Sequence, residues 1–189
     1  MPLSFCTDEA LLVVAQELAR RLSASGRKLV LAESCTAGLT AAQLARVPRV
    51  SANFCGSAVV YRETTKTAWL GVPASNFQID GPGVVSGATA EAMARGVLTQ
   101  TPEADIAVAI TGHLGPGAPP ELDGVTFHGW AIRDGDVGSR RHQLPGFPAA
   151  MTGDLSQREL RQRYAAWQLL QTACSVVAES RGLPQFPAI

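Results

Sequence analysis

Lysine is nearly absent from this chain of 189 residues: Lys28 and Lys66 are the only two among 16 basic side chains, and the rest are arginine. Arginine stays protonated under working conditions, whereas a buried lysine can shed its proton, so only these two cations can serve as a base. Net charge is also missing, since 16 acidic residues balance the 16 basic ones, and no basic stripe stands out. Extended contact with a nucleic-acid backbone therefore has no electrostatic support, and nucleic acid is set aside as a partner. The four cysteines, Cys6, Cys35, Cys55 and Cys174, form no Cys-x-x-Cys pair, and no charged-then-apolar secretory segment precedes them. They read as reduced thiols, and a cytoplasmic protein is expected. His113, His128 and His142 lack metal-ligand spacing, so no metal or cofactor is expected. The longest uncharged apolar stretches, such as 106–110 and 125–132, are strand-length, far short of the roughly 20 residues of a membrane helix.

What remains is an ordinary globular composition, 46% hydrophobic and 17% charged. The length suits one domain, expected over residues 1–182 with a tail at 183–189, burying about 70% of its unfolded surface. From Asp8 to Leu22 apolar residues recur with helical period behind Thr7 or Asp8 as caps. Lys28–Ala32 is a continuous apolar run suited to a strand covered on both faces, followed by a helix over Thr36–Val47 that Pro48 ends. The pattern then predicts a strand at Ser57–Tyr61, a short helix at Thr64–Leu70, a longer one at Ser86–Thr101, and a buried strand at Asp105–Thr111. After the Gly/Pro-rich stretch 112–120 come two strands, Val125–Arg133 and Gly138–Leu144, joined by the turn Asp134-Gly135-Asp136, and a final helix at Leu155–Ser180. Alternating strands and helices with one hairpin imply a three-layer α/β/α domain on a mixed sheet. Ligands in such sheets sit beyond the strand C-termini, where Ser34, Tyr61 and Thr111 fall.

The first strand turns through Ser34-Cys-Thr-Ala-Gly38 into its helix. A helix start carries N–H groups without internal partners and a partial positive charge, so Ser34 and Thr36 are placed beside an expected anion site. Ser34 can cap, bind or attack there. Lys66 lies five residues beyond Tyr61, on the short helix after the second strand, and an ordinary solvated lysine is the plain alternative. Together Ser34, Tyr61 and Lys66 offer a nucleophile and two proton handlers, the logic of serine hydrolases that use lysine in place of histidine. Cys35 competes as nucleophile if the helix start acidifies its thiol. The glycine loop Thr111-Gly-His-Leu-Gly-Pro-Gly117 brings backbone N–H groups suited to a phosphate, and His113 within it is placed to touch a ligand, but no dinucleotide or P-loop pattern matches.

Four motifs resemble one known family, the CinA C-terminal domain with its nicotinamide-mononucleotide amidohydrolases: Ala32-Glu-Ser-Cys-Thr-Ala-Gly38; Phe54-Cys-Gly-Ser-Ala-Val-Val-Tyr61 with Lys66 and Leu70-Gly-Val72; Gly83-Val-Val-Ser86; and Thr111-Gly-x-x-Gly-Pro-Gly117. The resemblance spans roughly residues 8–180 and implies the family's three-layer fold with a homo-oligomeric assembly. It further implies hydrolysis of the carboxamide of nicotinamide mononucleotide to nicotinic acid mononucleotide and ammonia, without a cofactor, by Ser34, Tyr61 and Lys66. Substrate contacts are expected from Cys35, Thr36, Ala37 and Gly38, and from Thr111, Gly112, Gly115 and Gly117. The alternatives are a non-catalytic nucleotide-binding or regulatory domain, and an amidase for another small amide. The chain departs from the family pattern at Ala37, where glycine is usual, at Glu63, where asparagine often stands, and at Ala118, where the glycine loop runs on. At Gly153-Asp154-Leu155 the family's arginine is replaced by leucine, which removes a phosphate contact and leaves Arg158 and Arg161 as candidates to replace it.

Overall fold

The structure, a computed structural model, describes residues 2–147 and 155–179. The expected tail 183–189 and the motif residues Gly153 and Asp154 lie outside the described residues. Five strands form one mixed sheet in the order β2-β1-β3-β4-β5. Strands β1 (Leu29–Glu33), β2 (Phe54–Val59) and β3 (Ile106–Gly112) run parallel, and β4 (Val125–Ile132) and β5 (Val137–Gln143) add an antiparallel hairpin at one edge. Its turn is the expected one, with Asp134 in the left-handed region at φ 56°. The three-layer α/β arrangement matches expectation.

Helices α1 (Asp8–Ser25), α2 (Leu39–Ala45) and α5 (Gln157–Glu179) cover one face of the sheet. Helices α3 (Glu63–Leu70) and α4 (Gly87–Gln100) cover the other. Strand β3 shows how the alternation divides the core: Ile106, Val108 and Ile110 pack under α1 and α5, while Ala107 and Ala109 face α4. The α4 side is built from small residues because the helix lies close, and a Cβ at Gly129 would come 2.3 Å from the Ala90 backbone. Caps fix the helices that frame the site: Ser86 Oγ accepts from Thr89 N–H at the start of α4, and Gly71 closes α3 in the left-handed region.

Two elements beside the site, β2 and α2, depart from their expected bounds. Strand β2 starts at Phe54, three residues early, across a register shift between Leu29 and Val30 and a Gly56 at φ 139° that hides the strand's period. It ends at Val59 because the next two carbonyls, of Val60 and Tyr61, turn to the Lys66 amine instead of a neighbouring strand. Helix α2 starts at Leu39 rather than Thr36, since Ala37 and Gly38 both take positive φ, 52° and 93°, which a right-handed helix cannot include. Strand β1 is central, with the crossover to β2 passing through α2 on one face and the return to β3 through α3 and α4 on the other. Its C-terminal end is therefore where the helical layers part, the usual crevice of an open α/β sheet.

Candidate active site

Ser34 follows directly on β1, with its N–H donating to the Ile110 carbonyl of β3 at 3.1 Å. Lys66, on the first turns of α3, is fully buried, and its Nζ lies 3.0 Å from Ser34 Oγ. The same Nζ reaches the carbonyls of Val60 at 2.8 Å and Tyr61 at 3.3 Å. Burial without a hydrogen-bonded carboxylate pulls the amine below the ordinary lysine value, against weaker opposing effects of Cys35 and Glu63. A neutral amine has two N–H donors and one lone pair. With the two carbonyls taking the donors, the lone pair is left for the Ser34 hydroxyl.

Tyr61 stands differently from the expected trio. Its carbonyl serves Lys66, but its side chain is more than half exposed and its phenol oxygen accepts from Arg158 Nη2 at 2.8 Å. No hydrogen bond joins the phenol to Ser34 or Lys66 among the described residues. Arg158, on α5, also donates to the Gly115 carbonyl at 2.6 Å, so it bridges the end of β2 and the glycine loop. Arg161 is committed elsewhere, forking onto Asp123 at 2.7 and 2.9 Å with only 3% of its surface exposed. Of the two arginines weighed from the sequence, Arg158 is the one in the site. Leu155, where the family carries arginine, packs beside Cys6, Phe147 and Leu160 instead.

Ser34 and Arg158 both line a cleft of about 520 Å³, ordinary for a small-molecule site. Cys35, Tyr61, Thr111 and Gly112 line it as well, and so does His113. Thr36, Ala37, Gly38, Gly115 and Gly117, expected as substrate contacts, are not among the residues that line it. The reason is local. Thr36 is fully buried with its carbonyl held by Gln162, Ala37 and Gly38 turn away through left-handed backbone, and Gly115 is covered by Arg158. Pro82–Val85, which overlaps the motif Gly83-Val-Val-Ser86, also lines the cleft and hangs from β3 by a hydrogen bond from Thr111 Oγ1 to the Val84 carbonyl at 2.8 Å.

The anion site expected at the helix start is taken. Glu33, the last residue of β1 and fully buried, places one carboxylate oxygen on the N–H groups of Gly38 (3.1 Å) and Thr40 (3.0 Å). The other accepts from Ala41 N–H (2.9 Å) and Ser57 Oγ (3.1 Å). Ser34 therefore caps nothing with its side chain, and Ala37 N–H is bound to the Ser34 carbonyl. No main-chain carbonyl among the described residues accepts from the N–H of Cys35 or Thr36. Cys35 lines the cleft, so its N–H, beside the Ser34 hydroxyl, is the donor placed for a developing oxyanion. Cys35 is not an acidified nucleophile: burial pushes its thiol up to about 12. Lys28 is half-buried and paired with Glu103 at 2.8 Å.

His128 and His142 lie outside the cleft, stacked with ring centroids 4.1 Å apart, and His128 Nδ1 meets Thr172 Oγ1 at 2.7 Å. Among the described residues no cluster of three or more His, Cys, Asp or Glu side chains is arranged for a metal, and no helix is long and apolar enough to cross a membrane.

Comparison with known proteins agrees with this fold. A CinA-like protein of Mycolicibacterium vanbaalenii is 43% identical over 144 residues, which is 75% of this chain and 32% of that protein. One from Mycobacterium sp. (strain JLS) is 40% identical over 151 residues, 79% of this chain and 34% of its own length. The chain thus spans about a third of the curated relatives it matches. Among solved structures, a competence-damaged protein (CinA) superfamily protein of Klebsiella pneumoniae superposes with a TM-score of 0.78 at 27% identity, over 89% of this chain and 98% of that one. A competence/damage inducible protein of Agrobacterium tumefaciens does so at 0.71 and 29%, covering 88% and 96%. The model of the CinA C-terminal domain matches residues 12–162, and the chain belongs to that family.

Proposed function

We propose that the chain is an amidohydrolase acting on a pyridine nucleotide, converting nicotinamide mononucleotide and water to nicotinic acid mononucleotide and ammonia. The observation that carries the reading is the buried Lys66 amine 3.0 Å from Ser34 Oγ, with its N–H groups matched to two carbonyls. Lys66 takes the Ser34 proton as Oγ attacks the carboxamide carbon. The Cys35 N–H holds the oxyanion, one such donor being worth about 3 kcal/mol. The proton then passes from Lys66 to the leaving nitrogen, ammonia departs, and water, deprotonated by the same amine, releases the acid from the acyl-enzyme. Tyr61 acts through its carbonyl on Lys66 and through its phenol on Arg158. Arg158, at the wall of the cleft, supplies the guanidinium for the substrate phosphate that the leucine at 155 does not.

The test is ammonia release from nicotinamide mononucleotide, with Ser34→Ala as the blank. Turnover by the wild type and none by the variant supports the reading, whereas binding without ammonia from either assigns a nucleotide-binding module. Nicotinamide riboside, which lacks the phosphate, separates the substrate question. Equal kcat/KM for the two compounds would move the assignment to another small amide.

A further inference from the structure

The first-strand carboxylate has no part in the chemistry just described, yet it is the most heavily bonded side chain beside it. Glu33 has no exposed surface and lies outside the cleft lining, so it does not meet a ligand. Its two oxygens take four hydrogen bonds, from three main-chain N–H groups and one hydroxyl, all between 2.9 and 3.1 Å. Those donors bracket the nucleophile turn: Gly38, Thr40 and Ala41 lie on its far side, and Ser57 lies on β2. Between Glu33 and Gly38 the chain carries Ser34 and Cys35, which line the cleft, then Ala37 in a left-handed conformation that a residue with a Cβ enters only at a cost. Such backbone persists where its surroundings over-determine it.

We infer that Glu33 is a positioning residue for acyl transfer. Its carboxylate draws the start of α2 back onto the end of β1, and this fixes the turn so that Ser34 Oγ and the Cys35 N–H face one reacting carbonyl. By occupying the N–H groups of residues 38, 40 and 41 it also denies them to substrate anions, which leaves the Arg158 side of the cleft as the place where negative charge is received. The inference rests on the amidase reading and concerns how that reaction is held in register.

A fluorophosphonate probe tests it without a known substrate. The Ser34 oxygen bonds to phosphorus, fluoride leaves, and the serine proton passes to Lys66. Intact mass gives the final stoichiometry, and the time course gives the rate. Glu33→Gln keeps shape and one acceptor oxygen but sets an NH2 against at least one main-chain N–H. The variant is expected to reach the wild-type stoichiometry about 100-fold more slowly, the loss typical of a misplacement near 1 Å, with the pH midpoint of the rate unmoved. Ser57→Ala removes one of the four bonds and is expected to slow labelling several-fold, and its rate decides the matter if Glu33→Gln does not fold. Labelling of the folded variants at the wild-type rate, or a reduced stoichiometry whose labelled fraction reacts at the wild-type rate, overturns the inference and leaves the amidase reading standing. Failure of wild-type Ser34 to label overturns that reading, and the inference with it.

Discussion

The Lys66 amine and the Ser34 hydroxyl meet 3.0 Å apart inside the protein although 32 residues separate them in the chain. Arginine at position 66 keeps the charge but has no lone pair to offer. Lys66→Arg is therefore expected to lower kcat for ammonia release by about 10²- to 10⁴-fold, the range for a lost general base, while substrate KM changes little. Turnover by this variant near the wild-type rate ends the proton-transfer role.

Activity should rise with pH. Burial holds the Lys66 amine below the ordinary lysine value of 10.5, so the reactive neutral form reaches its plateau before a solvated lysine would. Stability carries the same sign. Between the lowered folded value and the unfolded one the unfolded chain binds a proton that the folded protein does not, and stability increases with pH across that window. Urea unfolding of wild type and Lys66→Met at several alkaline pH values checks this, the variant lacking the slope.

Ala37 sits at φ 52° and is exposed, so its Cβ brings strain without packing in return. Ala37→Gly removes the left-handed penalty of about 1–2 kcal/mol at a backbone-entropy cost of about 0.5–1 kcal/mol. A net gain near 1 kcal/mol raises Tm by about 2–4 °C in a domain of this size. A melting curve that shifts downward contradicts the assignment of strain.

The stacked pair His128 and His142 is held neutral by burial, with the Arg140 guanidinium opposing protonation further. Both folded values lie below the unfolded one near 6.5, so stability is intact above it and falls with acidification below it, by about 1.4 kcal/mol per pH unit for each proton taken up. Wild type and the double variant His128→Gln/His142→Gln, unfolded in urea between pH 7.5 and 5, should diverge in this sense. Parallel curves show that the pair does not carry the acid sensitivity.

The layer order, the hairpin and most elements were legible because their signals are local. Continuous apolar runs mark β1 and β3, helical period marks α1 and α5, and Thr7, Ser86 and Gly71 punctuate helices where capping chemistry requires. The two lysines separated cleanly for the same kind of reason, since rarity drew attention to Lys66 and its place after β2 gave it a role. Glu33 is not legible in this way, because an acid at the end of an apolar run looks like a strand end, and only the fold shows which N–H groups come round to meet it. The positive φ of Ala37 was hidden as well, alanine being a sign of helix wherever sequence is the only guide. Arg158 could be named but not chosen over Arg161, because one helical turn decides which faces Asp123 and which faces the cleft.

The fork of Arg161 onto Asp123 bears on selectivity. It pins the rotation of α5 about its own axis, and Arg158 rides on that helix three residues earlier. The span from serine oxygen to guanidinium is thus set by rigid helix-on-sheet packing rather than by a swinging loop. On the proposed amidase reading such a site would work as a caliper, grading amides by the length between their carbonyl and their acidic end, so lengthening the linker of a candidate compound by one bond should penalise it more than enlarging its ring.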